Sequence, residues 1–213
     1  MEALAAVFRD GGLFMYFILA VAIIGMAIIV ERAVLLMFKC NVDGKALWKK
    51  ISKMIQDGEM EKARAICAGS DAPLLKVMEA GLKASSHARQ KDIQNIFDEA
   101  EMEVIPSVHK RIVYLLTLAN VATLFGLLGT IHGLIQAFSA VAAADPSQKS
   151  TLLAGGIAIA LYNTAFGIMV AVLFLIMYAV LQAKANGVVD EIDMITIKFV
   201  NLMGRGKDGA QGE

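Results

Sequence analysis

The chain has 213 residues, 57% of them hydrophobic, and a mean hydropathy of +0.62. Soluble domains carry roughly 45–50% apolar residues, so an ordinary water-soluble enzyme or binding domain is excluded. Lys and Arg balance Asp and Glu at 20 each, and no basic stretch is interleaved with aromatics, which excludes the usual nucleic-acid-binding surface.

Residues 1–10 form a short N-terminal segment ahead of the first apolar run, Gly11–Val30, which is free of charge and long enough for one bilayer crossing. A secretory signal fits poorly: the flank of Glu2, Arg9 and Asp10 is not basic, and Ala20-Val21-Ala22 lies inside the run rather than after it. The first crossing is therefore expected over 11–31. Glu31-Arg32 closes it, and is read as an interfacial ion pair that fixes helix depth, ahead of a contact to a neighbouring subunit.

Residues 32–111 are polar and helical in pattern. Gly44–Cys67 reads as two amphipathic helices broken at Gly58, and Gly69–Pro73 as a turn. Leu74–Ala84 is a further helix, followed by a polar break at Ser85–Ala88. From Lys91, Ile93, Ile96, Phe97, Ala100, Val104 and Val108 recur at helical spacing into the second crossing, with Pro106 expected to kink or interrupt the run. Cys40 and Cys67 lack a nearby histidine pair and read as free thiols.

The second and third crossings are expected over 112–143 and 151–183, joined by a hairpin at 144–150 around Asp145-Pro146. Helical periodicity persists over 184–203 through Val189, Ile192, Ile195, Phe199 and Leu202, and 204–213 has the composition of a disordered tail. The expected fold is all-α: an integral membrane protein with three transmembrane helices, of which the second and third extend into the cytoplasm. Charge sets the orientation. Fourteen of the Lys and Arg lie between Glu31 and Arg111 and four more from Lys184 onward, leaving only Arg9 and Lys149 outside. Basic residues stay in the cytoplasm, so the N-terminus and hairpin face out and the C-terminus in.

Small residues form a stripe on each long run. On the second these include Gly126, Gly129 and Gly133, and on the third Gly156, Ala160 and Gly167. Such stripes let helix backbones approach closely where lipid supplies no hydrophobic push. Thr123, Thr130 and Gln136 on the second run, with Asn163 and Thr164 on the third, add hydroxyls and amides that could hold water or a cation. Neither run contains Asp, Glu, Lys or Arg, so an acid for proton transfer has to come from another chain. His132 is the side chain that could titrate near neutral pH, against the plainer reading of a paired neutral imidazole. A membrane enzyme has no support: there is no nucleophile–base pair, metal-ligand spacing or phosphate loop, and no cofactor is expected.

Gly126-Leu127-Leu128-Gly129-Thr130-Ile131-His132-Gly133-Leu134-Ile135-Gln136-Ala137-Phe138 resembles the second-crossing motif of the MotA/TolQ/ExbB stator family. Gly155-Gly156-Ile157-Ala158-Ile159-Ala160-Leu161-Tyr162-Asn163-Thr164-Ala165-Phe166-Gly167 resembles its third-crossing motif, and Glu31-Arg32 its ER pair. Three crossings and a short outer hairpin are similar to the TolQ/ExbB branch rather than to four-crossing MotA. The resemblance implies a pentamer-like ring in the bacterial inner membrane around single-crossing TolR/ExbD/MotB-type partners. A transmembrane Asp of such a partner carries the proton, with Thr130 and Thr164 lining the pore, and ion flow drives work in an envelope machine. Two departures weigh against siderophore-uptake energisation: Ile159 stands where ExbB-like chains have Glu, and Val170-Ala171-Val172-Leu173-Phe174 lacks their proline. The competing reading is a non-conducting membrane scaffold, which explains the small-residue stripes but not hydroxyls on both runs.

Overall fold

A computed structural model describes residues 12–40, 42–85 and 90–208. The segment expected at 1–10, most of the break at Ser85–Ala88, and the end of the tail beyond residue 208 lie outside these. The described residues form helices and turns without a strand: α1 Gly12–Val34, α2 Gly44–Gln56, α3 Met60–Cys67, α4 Pro73–Ala84, α5 Gln90–His109, α6 Tyr114–Ala143 and α7 Lys149–Asp208. A π-helical turn, Leu35–Lys39, extends α1 and is closed by Cys40 N–H donating to Leu35 O at 3.1 Å. Three stretches, Gly12–Phe38, Asp92–Ala143 and Lys149–Gly204, are long and apolar enough to cross a membrane. In the second of them Asp92, Asp98, Glu99, Glu101 and Glu103 leave the crossing to the apolar remainder, because a carboxylate in hydrocarbon costs several kcal/mol.

The expected breaks differ in kind. Gly58 and Gly69 adopt positive φ (77° and 81°) and do separate α2 from α3 and α3 from α4. Pro106, by contrast, lies inside α5, which runs on to His109. Proline removes one N–H from the ladder, and a single missing rung does not end a helix. The chain instead turns at 110–113, where Arg111 takes φ 66°. At the other end, α7 continues past Gly204 to Asp208.

The residues group into two compact units. The first contains the described residues up to Glu31 together with Arg111–Val180. Here α1, α6 and the first half of α7 pack through Met15, Ile18, Leu115, Ala119, Ala122, Ala160 and Phe174, all essentially buried. Ile23, Leu124, Ile135, Met169 and Ile176 point outward, as expected of surfaces facing lipid or other helices rather than water. Gly25 on α1 lies against the Phe174 ring so closely that a Cβ there would overlap it. Ala144 leaves α6 in extended conformation, and Gln148 N–H donates to Asp145 O at 2.9 Å to make the hairpin before α7.

The second unit contains Arg32–Lys110 and the chain from Leu181 onward. Ile51, Val77, Met78, Leu82, Ile93, Phe97, Ile192, Ile195 and Phe199 form its core, so α2–α5 bury their apolar faces against the C-terminal part of α7. Phe97 and Phe199 meet edge to face, with ring centroids 5.1 Å apart at 74°. Asp43 caps α2 by accepting from Ala46 N–H at 3.1 Å, and Glu191 Oε1 accepts from Gly44 N–H at 2.7 Å, placing an anion at that helix N-terminus. Cys67 is buried beneath α4, and burial, reinforced by the charge of Glu79, pushes its thiol pKa up to about 11. A Cβ at Gly81 would strike the Phe97 ring. Gly81→Ala is therefore expected to lower stability by about 1–3 kcal/mol, as overpacking of a filled core does, visible as a drop in melting temperature in detergent.

Candidate functional site

The crossings approach most closely along α6 and α7. A Cβ on Gly126 would come within 3.1 Å of Asn163 O and 3.2 Å of Thr164 Cα. One on Gly167 would reach 2.7 Å from Ala122 O and 3.1 Å from Gly126 Cα. Gly133 faces Ala160 and Gly156 faces Ala137 in the same way. The stripes therefore meet inside one chain, with backbone against backbone at Gly126 and Gly167.

That approach brings Thr130 of α6 and Thr164 of α7 together. Their hydroxyls hydrogen-bond to each other, and each also reaches Gly126 O at 3.1 Å, with Ala160 O 3.4 Å from Thr130 Oγ1. Each hydroxyl carries one proton, so the pair has two arrangements. Either Thr130 donates to Thr164, which donates to Gly126 O, or Thr164 donates to Thr130, which donates to a carbonyl. The two differ in which oxygen keeps a free lone pair, and neither needs a charge. Both side chains are half-buried in the isolated chain. The acceptor carbonyls of Gly126 and Ala160 are part of the site that sequence could not supply, since every helical residue has such a carbonyl and only the helix pairing selects these.

The remaining predicted residues surround this pair without joining it. Thr123 is exposed and bonds back to Ala119 O, one turn earlier, at 3.1 Å. Asn163 is 2% exposed and lies over Gly129, where a Cβ would sit 2.7–3.0 Å from its Cβ, Cγ and Nδ2. Its Oδ1 is buried without a hydrogen-bond partner among the described residues. His132 is exposed, with Nε2 3.1 Å from Gln136 Nε2 and its ring centroid 5.5 Å from that of Phe14. The amide nitrogen can only donate, so His132 Nε2 accepts.

Glu31 and Arg32 have separate partners. Arg111 Nη1 donates to both Glu31 carboxylate oxygens, at 2.6 and 2.7 Å, in the first unit. Arg111 itself takes its left-handed conformation in the turn ahead of α6. In the second unit Arg32, 3% exposed, donates from Nη1 to Ser107 O at 3.2 Å, a carbonyl in the last turn of α5. A cation there satisfies a helix-end acceptor and offsets the helix dipole. The basic residue at a crossing edge was the available signal for Arg111; its partner was not readable. Among the described residues no three His, Cys, Asp or Glu side chains converge as a metal site.

The family model for the MotA/TolQ/ExbB proton channel family matches residues 69–194, more than half of the chain. A Methanothermobacter thermautotrophicus protein described as a homolog of the biopolymer transport protein ExbB is 24% identical over 189 residues, covering 88% of this chain and 66% of its own. The biopolymer transport protein exbB1 of Vibrio cholerae is 39% identical over 89 residues, 41% of this chain and 39% of its own. The Tol-Pal system protein TolQ of Haemophilus influenzae is 31% identical over 101 residues, 47% of this chain and 44% of its own. The chain thus spans less than two thirds of the length of each of these relatives.

Proposed function

The chain belongs to the MotA/TolQ/ExbB proton channel family, with relatives in its TolQ/ExbB branch, and from that premise we propose that it is a channel-forming subunit that couples an ion gradient to work in the cell envelope. The observation that carries this reading is the Thr130–Thr164 pair, two mutually bonded hydroxyls on facing crossings that contain no Asp, Glu, Lys or Arg. A hydroxyl pair of this kind can pass a hydrogen bond to an approaching acid or water and take one back, but cannot itself hold a transported charge. The acid is then supplied by a partner of the TolR/ExbD type with a transmembrane Asp, surrounded by a ring of this chain, a pentamer in the proposed assembly. The bacterial inner membrane is the proposed location, with the hairpin at 144–150 periplasmic and the second unit cytoplasmic, as the distribution of Lys and Arg supports.

Native mass spectrometry of the tagged chain, purified from its own membrane, tests the proposal. A ring of identical subunits retaining a small single-crossing protein with a membrane Asp is the expected result. A monomer, or a ring that never holds such a protein, supports the non-conducting scaffold instead.

A further inference from the structure

The second unit carries two faces of opposite charge that its own helices leave uncovered. α2 holds Lys45, Lys49, Lys50 and Lys53 without an Asp or Glu. Lys45, Lys49 and Lys53 recur every four residues and are exposed, so they form one basic stripe. α5 has the reverse balance, with Asp92, Asp98, Glu99, Glu101 and Glu103 against a single lysine, Lys91. Glu99 and Glu103 are exposed on one stripe, with Met102 between them 77% exposed. Among the described residues, neither the α2 lysines nor Glu99 and Glu103 take part in an ion pair.

The two faces do not meet within one chain. α2 packs beside α3, α3 beside α4 and α4 beside α5, which leaves α2 and α5 at the two ends of the row. Their heights can be compared along α7. Gln182 Nε2 lies 3.3 Å from His109 Nδ1, and Phe199 lies against Phe97. Glu191, midway between, accepts from Gly44 N–H at the start of α2. Since α5 and α7 both rise about 1.5 Å per residue, the first turn of α2 is level with the α5 turn around Glu103.

We infer that these faces form an interface between copies of the chain, the Lys45–Lys49 stripe of one docking on the Glu99–Glu103 stripe of the next. Lys45 meets Glu103, and Lys49, one turn on, meets Glu99. The lysine stems lie over Met102 and the adjoining groove of about 420 Å³ lined by Ile105 and Pro106, with their ammonium heads at the carboxylates. Faces at opposite ends of the row make a head-to-tail contact, the kind that closes into a ring when the rotation allows. In a ring around an axis along the crossings, neighbours repeat at equal height, and the two stripes satisfy that condition. The interface rests on the ring in the proposed function and adds which faces meet outside the bilayer. Exposed ion pairs contribute little stability, so the contact selects the neighbouring face rather than holding the ring together.

Cross-linking of the full chain in isolated native membranes with a short bis-maleimide tests it, Cys40 and Cys67 being buried. Lys45→Cys with Glu103→Cys in one chain should give a ladder of dimers, trimers and higher species. Either substitution alone should give monomers, because a head-to-tail contact does not set a residue against its own copy. Lys49→Cys with Glu99→Cys should give the same ladder, and covers the case in which the first pair fails to fold. Dimers from the single variants would overturn the head-to-tail contact. Unlinked pairs in a chain that native mass spectrometry shows as a ring would overturn this interface and leave the ring standing. Unlinked pairs in a monomeric chain would overturn both. Linking only to a protein of another sequence would overturn the interface and assign the faces to that protein.

Discussion

A chain carrying both Thr130→Val and Thr164→Val is expected to fold and assemble normally while ion flux through the complex falls about a hundredfold or more. Valine matches threonine in shape, and removing both members of a neutral hydrogen-bonded pair is nearly neutral for stability. Gly126 O and Ala160 O are helical carbonyls that do not depend on the lost hydroxyls for a backbone donor. A hydrogen bond to a charged group contributes about 1.5–3 kcal/mol, so a barrier that loses two of them rises enough for that decrease in rate. Flux into vesicles loaded with a pH-sensitive dye, beside the melting temperature of the same preparation, separates the two effects. Flux at the wild-type level in the double mutant would remove the hydroxyl pair from the ion path. The single mutants are informative as well, since either leaves one hydroxyl able to donate to Gly126 O but ends the exchange between the two arrangements.

The second large effect is expected at Gly167. A side chain there points at the Ala122 carbonyl and the Gly126 backbone, neither of which can rotate away. Gly167→Val should force α6 and α7 apart, separate Thr130 from Thr164, and cost ~3 kcal/mol or more, at the upper end of what overpacking does. Flux and folding should then be lost together, in contrast to the threonine pair. Gly155, which has open space where its Cβ would lie, serves as the control, and Gly155→Ala should melt with the wild type. A scaffold would also fail at Gly167 but would tolerate the paired valines, so the two substitutions together discriminate the readings.

Periodicity made the helices legible, and composition made the three apolar stretches legible, because bilayer length and helical repeat act on local sequence. The same holds for the Gly and Ala stripes: a seam needs small residues every three or four positions, and that spacing is visible without a structure. The contact between Thr130 and Thr164 could be anticipated only as two polar faces, since their meeting depends on the register of α6 against α7. Register is set by which glycine faces which backbone, here Gly126 against Asn163 and Thr164, and no single helix encodes it. The turn at Arg111 was hidden for a similar reason. Proline is a strong local signal and drew the expected break to Pro106, whereas the actual break is the turn at Arg111, whose carboxylate partner Glu31 is distant in sequence.

Cys67 carries a practical consequence of the core in which it sits. Thiol-directed reagents attack the thiolate, and a thiol with a pKa of about 11 is ionised in roughly one part in ten thousand at neutral pH. An ordinary cysteine is ionised in about one part in thirty. Burial adds a steric barrier to the chemical one. Cys67 is therefore silent toward maleimide dyes in the folded chain, and because Cys40 is buried as well, a reporter cysteine at an exposed position such as Met102 can be labelled over both with the native residues left in place.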